Sequence, residues 1–323
     1  MTDTSSERAR PHTVDLVVVL LATYNGALYL REQLDSVADQ SHKHWRLVIC
    51  DDGSSDDTLQ VVRRFAAEHA DKVTILQDAP IGSARDNFFR LLKKSGPAAY
   101  FAFCDQDDVW RRDKLELLIQ QCRQVEAERA GTPCLVYSDL TVVDSQLQYL
   151  NNSFLKQIRT NPEGITYKNL LTENSIPGCA MLINAALADI IRSYEFDTSK
   201  VIMHDWWLAL VAATLGTISY IPASLVSYRQ HATNTLGSVN RSGLAFVLSK
   251  FLQANNFATL QTYTQAAAFV DAYRDILEPK TRSDIEDFAS LPGRSKYARI
   301  RMVLKNRTLK QGLSRRIYQL MRA

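Results

Sequence analysis

The chain of 323 residues lacks several patterns that would assign it to a familiar class of protein. Its five cysteines are scattered without a Cys-x-x-Cys pair, which argues against a structural zinc site and indicates buried thiols in a reducing compartment. No Gly-x-Gly-x-x-Gly follows the first apolar run and no Gly-x-x-x-x-Gly-Lys occurs, so neither a dinucleotide-binding Rossmann unit nor an NTPase P-loop is predicted. The chain also has no internal repeat and no low-complexity segment.

Acidic residues are missing from the C-terminal end of the chain. From Arg294 onwards there are ten Lys or Arg and no Asp or Glu, and apolar residues recur at helical spacing. This basic amphipathic end suits either a packing helix with a solvated basic face or, as we prefer, a helix that docks on an anionic membrane surface. No nucleic-acid partner is expected, because nothing there supplies base-stacking aromatics or a known binding motif.

Signals for secretion and for membrane insertion are weak. Met1–Thr13 is polar without an apolar centre, so no secretory signal is predicted, and we expect a cytoplasmic protein, peripheral on the inner face of the plasma membrane. Trp206–Tyr228 has no charged residue and is long enough to cross a bilayer. However, Gly216 and Pro222 divide it, so we interpret it as a buried helix followed by strands.

Apolar runs alternate with amphipathic segments through the first two thirds of the chain, which predicts an α/β fold with a mostly parallel central sheet. Helical periodicity dominates after residue 243. Strands are predicted at about 15–22, 45–50, 72–77, 100–104, 134–138, 179–183, 217–221 and 225–228, and helices at about 28–38, 58–69, 86–94, 111–128, 166–172, 205–215, 244–253, 258–277, 281–290 and 295–321. We therefore expect a polar tail at 1–13, a main domain at 14–237 and a helical C-terminal extension at 238–323.

An acidic cluster, Asp105-Gln106-Asp107-Asp108, follows the apolar run Tyr100–Cys104 directly. Carboxylates this close repel one another unless a cation lies between them, and a hard divalent cation often bridges such groups to a substrate phosphate. The cluster should lie at the carboxyl edge of the sheet, where α/β proteins bind ligands. Alternatively, Asp107 or Asp108 caps the following helix.

Two other loops should reach the same edge. The first strand ends at Ala22-Thr23-Tyr24-Asn25 and the second at Asp51-Asp52-Gly53. Asp52 could accept from a base N–H, and the ring of Tyr24 could stack on a base. A simple Asp-Gly turn with a following N-cap explains the second loop equally well.

These three loops, together with Val109-Trp110, resemble the family 2 glycosyltransferases. The resemblance covers about 14–234 and implies the nucleotide-sugar-binding glycosyltransferase A (GT-A) fold. Within the family, the chain is most similar to bacterial rhamnosyltransferases of O-antigen and other surface polysaccharides. Cys104–Trp110 with Lys114-Leu115-Glu116, and Tyr228-Arg229-Gln230-His231 before Asn234-Thr235, carry that finer match.

The resemblance implies roles for the residues around the donor. Asp107 would hold the metal ion, Mn²⁺ or Mg²⁺, that bridges the donor diphosphate, and Asp105 would contact the ribose or complete the metal shell. Asp52 would contact the base. The remaining donor contacts would come from Ala22, Thr23, Tyr24, Asn25, Arg85 and Asn87, although Arg85 could equally be a surface cation.

The resemblance also implies a base and an acceptor site. Asp205 matches the catalytic base, with His204 where the family normally has Glu; alternatively, Asp205 is an N-cap. Trp206 and Trp207 could form a platform for the acceptor sugar, or pack in the core. A late histidine, His231, would complete the metal or diphosphate shell, although a structural histidine is the commoner case and Arg229 could serve the diphosphate instead.

The predicted function is therefore an inverting, metal-dependent transfer of a sugar from a nucleotide donor to a hydroxyl of a growing or polyprenyl-linked glycan. By analogy, the donor is dTDP-L-rhamnose. The alternatives are a UDP-hexose donor or a non-catalytic protein that binds sugar nucleotides or glycans. A sugar nucleotidyltransferase is disfavoured, because Thr23–Ala27 has neither the glycine-rich character nor the cation expected after its first strand.

Overall fold

The computed structural model describes residues 15–231 and 260–322. The predicted tail at 1–13, the boundary at 237/238 and the predicted helix at 244–253 lie outside the described residues. The strands are β1 Val17–Thr23, β2 Trp45–Asp51, β3 Val73–Ile75, β4 Tyr100–Cys104, β5 Val109–Trp110, β6 Cys134–Val143, β7 Tyr149–Asn151, β8 Met181–Asn184 and β9 Thr217–Arg229. The helices are α1 Ala27–Ala38, α2 Thr58–Glu68, α3 Ala84–Lys94, α4 Lys114–Glu128, α5 Phe154–Gln157, α6 Tyr167–Leu170, α7 Ala185–Ser193, α8 His204–Leu215, α9 (residues 260–273), α10 Pro279–Ala289, α11 Lys296–Asn306 and α12 Leu313–Arg322.

All strands of the described residues join one sheet in the order β3-β2-β1-β4-β8-β6-β9-β5, with β7 paired to β6. The first four strands in this order are parallel, and β1 and β4 are almost wholly apolar because helices cover both of their faces. The other half is mixed: β8 is antiparallel to β4 and β6, whereas β9 is parallel to β6. The α/β prediction is confirmed, and the parallel half carries the three loops at one edge.

The uncharged stretch after Trp206 forms a helix and a strand, as predicted, but the two short strands are one. β9 continues through Pro222 because its register on β6 shifts there: Ser138 pairs with Ile221, whereas Asp139 pairs with Ser224. Proline is tolerated at such a bulge because no ladder hydrogen bond is needed from it. None of the helices within the described residues has the length and apolar character needed to cross a membrane.

Two apolar clusters cover the faces of the sheet, and the C-terminal helices belong to one of them. That cluster joins α3, α7 and α8 to α9, α10 and α11, with Phe269 and Tyr273 packed against Trp207. The second cluster lies between the sheet and helices α1, α2 and α4. The C-terminal helices therefore complete the main core instead of standing apart from it.

The predicted single basic helix at 295–321 is wrong. The structure has two helices, α11 and α12, separated by a turn in which Arg307 and Gly312 adopt left-handed backbone conformations with φ of 55° and 86°. Glycine takes such a conformation without a steric penalty, so Gly312 marks the break. The basic character is consequently spread over two short helices.

Candidate active site

The carboxyl ends of β1, β2 and β4 meet at one edge of the sheet. Thr23 pairs in register with Asp51, and Leu21 pairs with Cys104, so Asp105 follows one step beyond. The sequence prediction that the three loops share an edge is therefore confirmed. This is the edge at which parallel α/β sheets bind ligands.

Side chains tie the first two loops together. The hydroxyl of Thr23 donates to Asp51 at 2.8 Å, and the backbone N–H of Asn25 donates to the hydroxyl of Ser54 at 2.9 Å. Asn25 adopts a left-handed backbone (φ 46°), which turns the chain so that its Oδ1 accepts from the N–H of Ser55. The ring of Tyr24 is 58% exposed, so it is free to stack on a planar ligand. Ala22, at the end of β1, is partly buried.

The third loop is joined to the first through an amide. The side chain of Gln106 accepts from the backbone N–H of Tyr24 at 2.8 Å and donates to its carbonyl at 2.9 Å. Gly26 lies against the same amide: a Cβ at that position would come within 2.3 Å of Gln106 Oε1. No role for Gln106 is predicted from the sequence, although it stands between two aspartates.

Asp52 has a structural partner that the sequence did not indicate. Its buried carboxylate accepts hydrogen bonds from the backbone N–H groups of Ile81, Gly82 and Ser83 at 2.5–3.0 Å. These bonds hold the loop that leads into α3. A carboxylate offers about four lone-pair directions, so its contact with a base stays a prediction.

Arg85 and Asn87, the other two predicted donor contacts, have different environments. Arg85 is bound to Asp86 and to the carbonyl of Val201 at 2.7 Å, so its guanidinium links α3 to the segment before α8. Asn87 is 1% exposed and donates to the carbonyl of Cys50 at 2.9 Å. The prediction that Asn87 contacts the donor directly is therefore wrong for this structure, because its amide is buried beneath the end of β2.

The acidic loop does not cap α4, since that helix begins at Lys114 with Asp113 before it. Asp105 is partly exposed, and burial together with the charges of Asp107 and Asp205 raises its pKa to about 7. Asp108 is fully buried, and burial followed by the charge of Asp107 raises its pKa. Within the described residues its Oδ2 has no hydrogen-bond partner. The loop therefore concentrates more negative charge than its own surroundings neutralise.

A lysine supplies part of the missing charge. The ammonium group of Lys114 is buried, donates to the carbonyl of Cys179 at 2.5 Å and lies 3.3 Å from the ring centre of Trp110. Burial lowers its pKa to about 8, while Asp108 and Asp105 act in the opposite direction. The resemblance drew attention to Lys114 only as part of a motif; nothing in its sequence context shows that the side chain turns inward.

An arginine fixes the loop from the other side. Arg229 is 1% exposed, and its guanidinium donates to the carbonyls of Asp107 at 2.8 Å and Ser145 at 2.6 Å. It also pairs with Glu32 and lies 4.4 Å from the ring centre of Tyr29. Its burial leaves no surface for a diphosphate, so we assign it to positioning the acidic loop.

His231 lies beside Asp107, as the predicted metal pair requires. Its Nε2 is 2.7 Å from Asp107 Oδ2, and its ring lies 4.9 Å from the ring of Tyr29. Both side chains of the pair remain partly exposed, at 12% and 18%. A carboxylate and an imidazole that face solvent together suit Mn²⁺, and carboxylate oxygens suit Mg²⁺.

A second group of ligand atoms lies deeper. Asp105, Asp108 and Cys179 each offer one atom within 4.8 Å of the others. Burial raises the pKa of the Cys179 thiol, which keeps it protonated and makes it a poor ligand for a hard cation. A cation that also touches a substrate in the cleft therefore fits Asp107 and His231 better, with Asp105 adjacent.

Asp205 faces this acidic loop from the first turn of α8. The N-cap residue of α8 is Met203, so Asp205 is not the cap. Its Oδ1 accepts from the N–H of Trp206 at 2.6 Å, burial raises its pKa to about 6, and its charge contributes to the raised pKa of Asp105. His204 is buried between Phe88 and Phe103, and burial lowers its pKa to about 3, so it is neutral.

The two tryptophans that follow have different environments. Trp206 is partly exposed, and its indole N–H donates to the carbonyl of Leu170 at 2.5 Å. Trp207 is 0% exposed, and its indole donates to the hydroxyl of Tyr273 at 3.1 Å. The prediction that Trp207 contacts the acceptor is wrong, because its ring lies wholly in the core, and that role can fall only to Trp206.

The fold is that of the GT-A glycosyltransferases. The structure is similar to that of residues 1–349 of TarS from S. aureus in complex with UDP, with a TM-score of 0.54 and 16% identity over 87% of this chain and 73% of that chain. This likeness establishes the fold.

A sequence model of glycosyl transferase family 2 matches residues 18–191, and the chain belongs to this family. It is 28% identical over 226 residues to the dTDP-rhamnosyl transferase RfbG of Shigella flexneri, covering 68% of this chain and 74% of the relative. It is 26% identical over 226 residues to an Escherichia coli protein, the UDP-Glc:alpha-D-GlcNAc-diphosphoundecaprenol beta-1,3-glucosyltransferase WfgD, covering 70% and 81%. The chain is thus a glycosyltransferase, as the sequence predicted.

Proposed function

We propose that this glycosyltransferase moves a sugar, with inversion, from a nucleotide donor to a hydroxyl of a lipid-linked glycan in surface polysaccharide synthesis. One observation carries the proposal: Asp205 lies against Gly178, where a Cβ would be 3.5 Å from that of Asp205, and the neighbouring Cys179 has its sulfur within 4.8 Å of the carboxylate of Asp105 in the acidic loop. A proton acceptor and a diphosphate-binding loop are the two parts that such a transfer needs. The names of RfbG and WfgD support the substrate classes.

The two sides of the site have separate roles in the reaction. Asp205 accepts the proton of the acceptor hydroxyl while the hydroxyl oxygen bonds to the anomeric carbon of the donor sugar. The bond from that carbon to the diphosphate oxygen breaks at the same time, and its electron pair stays on the diphosphate. A carboxyl group with a pKa of about 6 is ionised at neutral pH and still basic enough to take part. Asp107 and His231 would hold a divalent cation, which when bound would supply positive charge to stabilise the departing nucleoside diphosphate.

For the donor, dTDP-L-rhamnose is our first choice and a UDP-hexose the second. RfbG supports the first, whereas WfgD and the UDP complex of TarS support the second. A thermal-shift screen of nucleotide sugars with and without Mn²⁺ discriminates between them. A donor at 100 times its dissociation constant should stabilise the protein by about 2.7 kcal/mol.

Transfer to a lipid-linked acceptor then tests the class of activity. A stabilising nucleotide sugar that is bound but never transferred would favour the non-catalytic alternative. Stabilisation that does not depend on the metal would refute the role of Asp107 and His231. A response to no nucleotide at all would refute the whole proposal.

The helix pair α11–α12 supports docking on an anionic membrane. Tyr297 and Met321 are 78% and 67% exposed, and Leu304 and Ile317 are about half exposed. The exposed cations on and between these helices are Lys296, Arg301, Lys305, Arg307 and Arg316. Each cation near such a surface contributes about 1 kcal/mol. Sedimentation with vesicles rich in anionic lipid, but not with neutral vesicles, is the expected result; equal binding to both would refute the electrostatic part.

A further inference from the structure

A polar cavity of about 230 Å³ lies between the loop before α6 and the start of α12. Its walls are formed by Arg159, Asn161, Asn169, Gln311, Arg316 and two glycines. The lining therefore contains two guanidinium groups, three carboxamides and no acidic side chain. Such a donor set is suited to an anion with several oxygens.

The cavity has an excess of positive charge, although one carboxylate, Glu163, lies in its wall loop between Asn161 and Gly164. Across residues 15–231 and 260–322, neither Arg159 nor Arg316 forms an ion pair; Arg316 Nε donates only to the carbonyl of Lys310, at 3.0 Å. The adjacent carboxylate, Glu173, is occupied by Arg315 at 3.1 Å. Burial and the charge of Arg315 lower the pKa of Lys310, whereas the charge of Glu173 acts in the opposite direction. Positive charge is therefore in excess.

The cavity is also built from fixed groups. Gln311 is 9% exposed, and its Oε1 accepts from the backbone N–H of Asn161 at 2.7 Å. Asn169 donates to the carbonyl of Leu309 at 3.3 Å, and Arg315 donates to the carbonyl of Arg159 at 2.8 Å. The side-chain NH₂ groups of Gln311 and Asn161 donate to no group in the described parts of the chain. These donors are preorganised and unused.

The position of the cavity connects two features of the proposed function. On one side Asn169 precedes Leu170, whose carbonyl accepts from Trp206, the residue after Asp205. On the other side Arg316 precedes Ile317, which is exposed on the helix pair proposed to face the membrane. The cavity therefore adjoins both the segment that binds Trp206 and the helix pair.

We propose that the cavity binds the diphosphate of the lipid-linked acceptor. The inference rests on the proposed function, because it needs an acceptor whose sugar is joined to a lipid by a diphosphate. The guanidinium groups of Arg159 and Arg316 bind the diphosphate oxygens, and the amides of Gln311 and Asn161 complete the shell. The lipid tail leaves along α12, and the sugar hydroxyl lies at Asp205.

The test compares two acceptors with the metal-loaded enzyme: one glycan on a polyprenyl diphosphate, and the same glycan on a neutral alkyl chain. The variant Arg159→Ala/Arg316→Ala should raise KM for the diphosphate acceptor at least tenfold. It should leave kcat, donor KM and the KM for the neutral acceptor unchanged. The control Arg301→Ala/Lys305→Ala removes the same net charge from α11 and should not separate the two acceptors.

A binding measurement keeps the inference separate from the proposed function. In metal-free buffer, inorganic pyrophosphate should protect Arg159 and Arg316 from modification by phenylglyoxal, as read by mass spectrometry. If wild type transfers to neither acceptor, the proposed function fails, while protection still reports on the cavity. If the double variant does not fold, Arg159→Gln and Arg316→Gln singly should each give part of the rise in KM.

Three results would overturn the inference. Equal effects on both acceptors would show that the arginines act on the fold or on the donor. The same effect from the control pair would show that only overall charge matters. An unchanged acceptor KM together with a loss of binding to anionic vesicles greater than that of the control pair would assign the cavity to a phospholipid headgroup.

Discussion

Replacing Asp205 with Asn should stabilise the fold above pH 6 while it removes transfer activity. Burial raises the pKa of Asp205 from 3.8 to about 6. Each unit of pKa difference corresponds to 1.36 kcal/mol, so keeping this carboxylate ionised in the folded protein costs about 3 kcal/mol. Asparagine carries no charge to bury, and its oxygen can still accept from the N–H of Trp206.

The sign of the pH dependence follows from linkage. Between pH 3.8 and about 6 the folded protein holds a proton on Asp205 that the unfolded chain has released. The free energy of unfolding of the wild type therefore falls, on account of this group, as the pH rises through that window. The advantage of Asp205→Asn should grow from near zero at pH 4 to a value approaching about 3 kcal/mol at pH 7.5.

Urea denaturation of the metal-free protein at both pH values measures this advantage. The exposed carboxylate of Asp71 provides the control, because Asp71→Asn should leave the difference between the two pH values unchanged. In the transfer assay Asp205→Asn should lose about 10²- to 10⁴-fold in kcat while donor affinity is kept. An advantage that is equal at pH 4 and pH 7.5 would refute the burial argument, and undiminished kcat would refute the role of Asp205 as base.

Three further substitutions test the surroundings of the site. Arg229→Lys loses the forked contact that holds the carbonyl of Asp107, so Mn²⁺ affinity by titration should fall about tenfold; unchanged affinity would contradict the positioning role. Lys114→Met removes a buried ammonium that donates to the carbonyl of Cys179, and should cost about 1.5–3 kcal/mol in urea denaturation, which added Mn²⁺ partly restores; no loss would contradict its role beside the acidic loop. Trp207→Ala should cost about 3–5 kcal/mol of stability, whereas Trp206→Ala should chiefly raise acceptor KM; the reverse pattern would contradict the core assignment.

The fold was predictable wherever one pattern dominated. β1 and β4 read as buried strands because nearly every residue is apolar, and their parallel pairing placed three polar loops at one edge. The register shift that lets β9 run through Pro222 was not predictable, since a bulge depends on the partner strand. The sequence does contain a signal for the division of the basic end, because Gly312 lies inside a helical pattern. The apolar periodicity nevertheless led to the prediction of a single helix.

The site was predictable in its residue types but not in their partners. The sequence placed Asp107 beside His231 only through a family pattern, and the structure puts 2.7 Å between them. It could not show that Trp206 and Trp207, adjacent in a charge-free stretch, face different environments. Nor could it show that Asn87 is buried, because which face of α3 meets the sheet also depends on helices that follow much later.

The acidic cluster is a set of neighbouring carboxylates, and two side-chain cations lie beside it. Lys114 and Arg229 are internal, fixed by the fold and shielded from solvent. Lys114 donates to the carbonyl of Cys179 and Arg229 donates to the carbonyl of Asp107, so both cations are committed to partners within the protein. The partly exposed pair of Asp107 and His231 is the site at which we propose that an exchangeable cation binds. This division explains why Asp108, though part of the cluster, suits a structural role: its carboxylate is turned inward, away from any substrate.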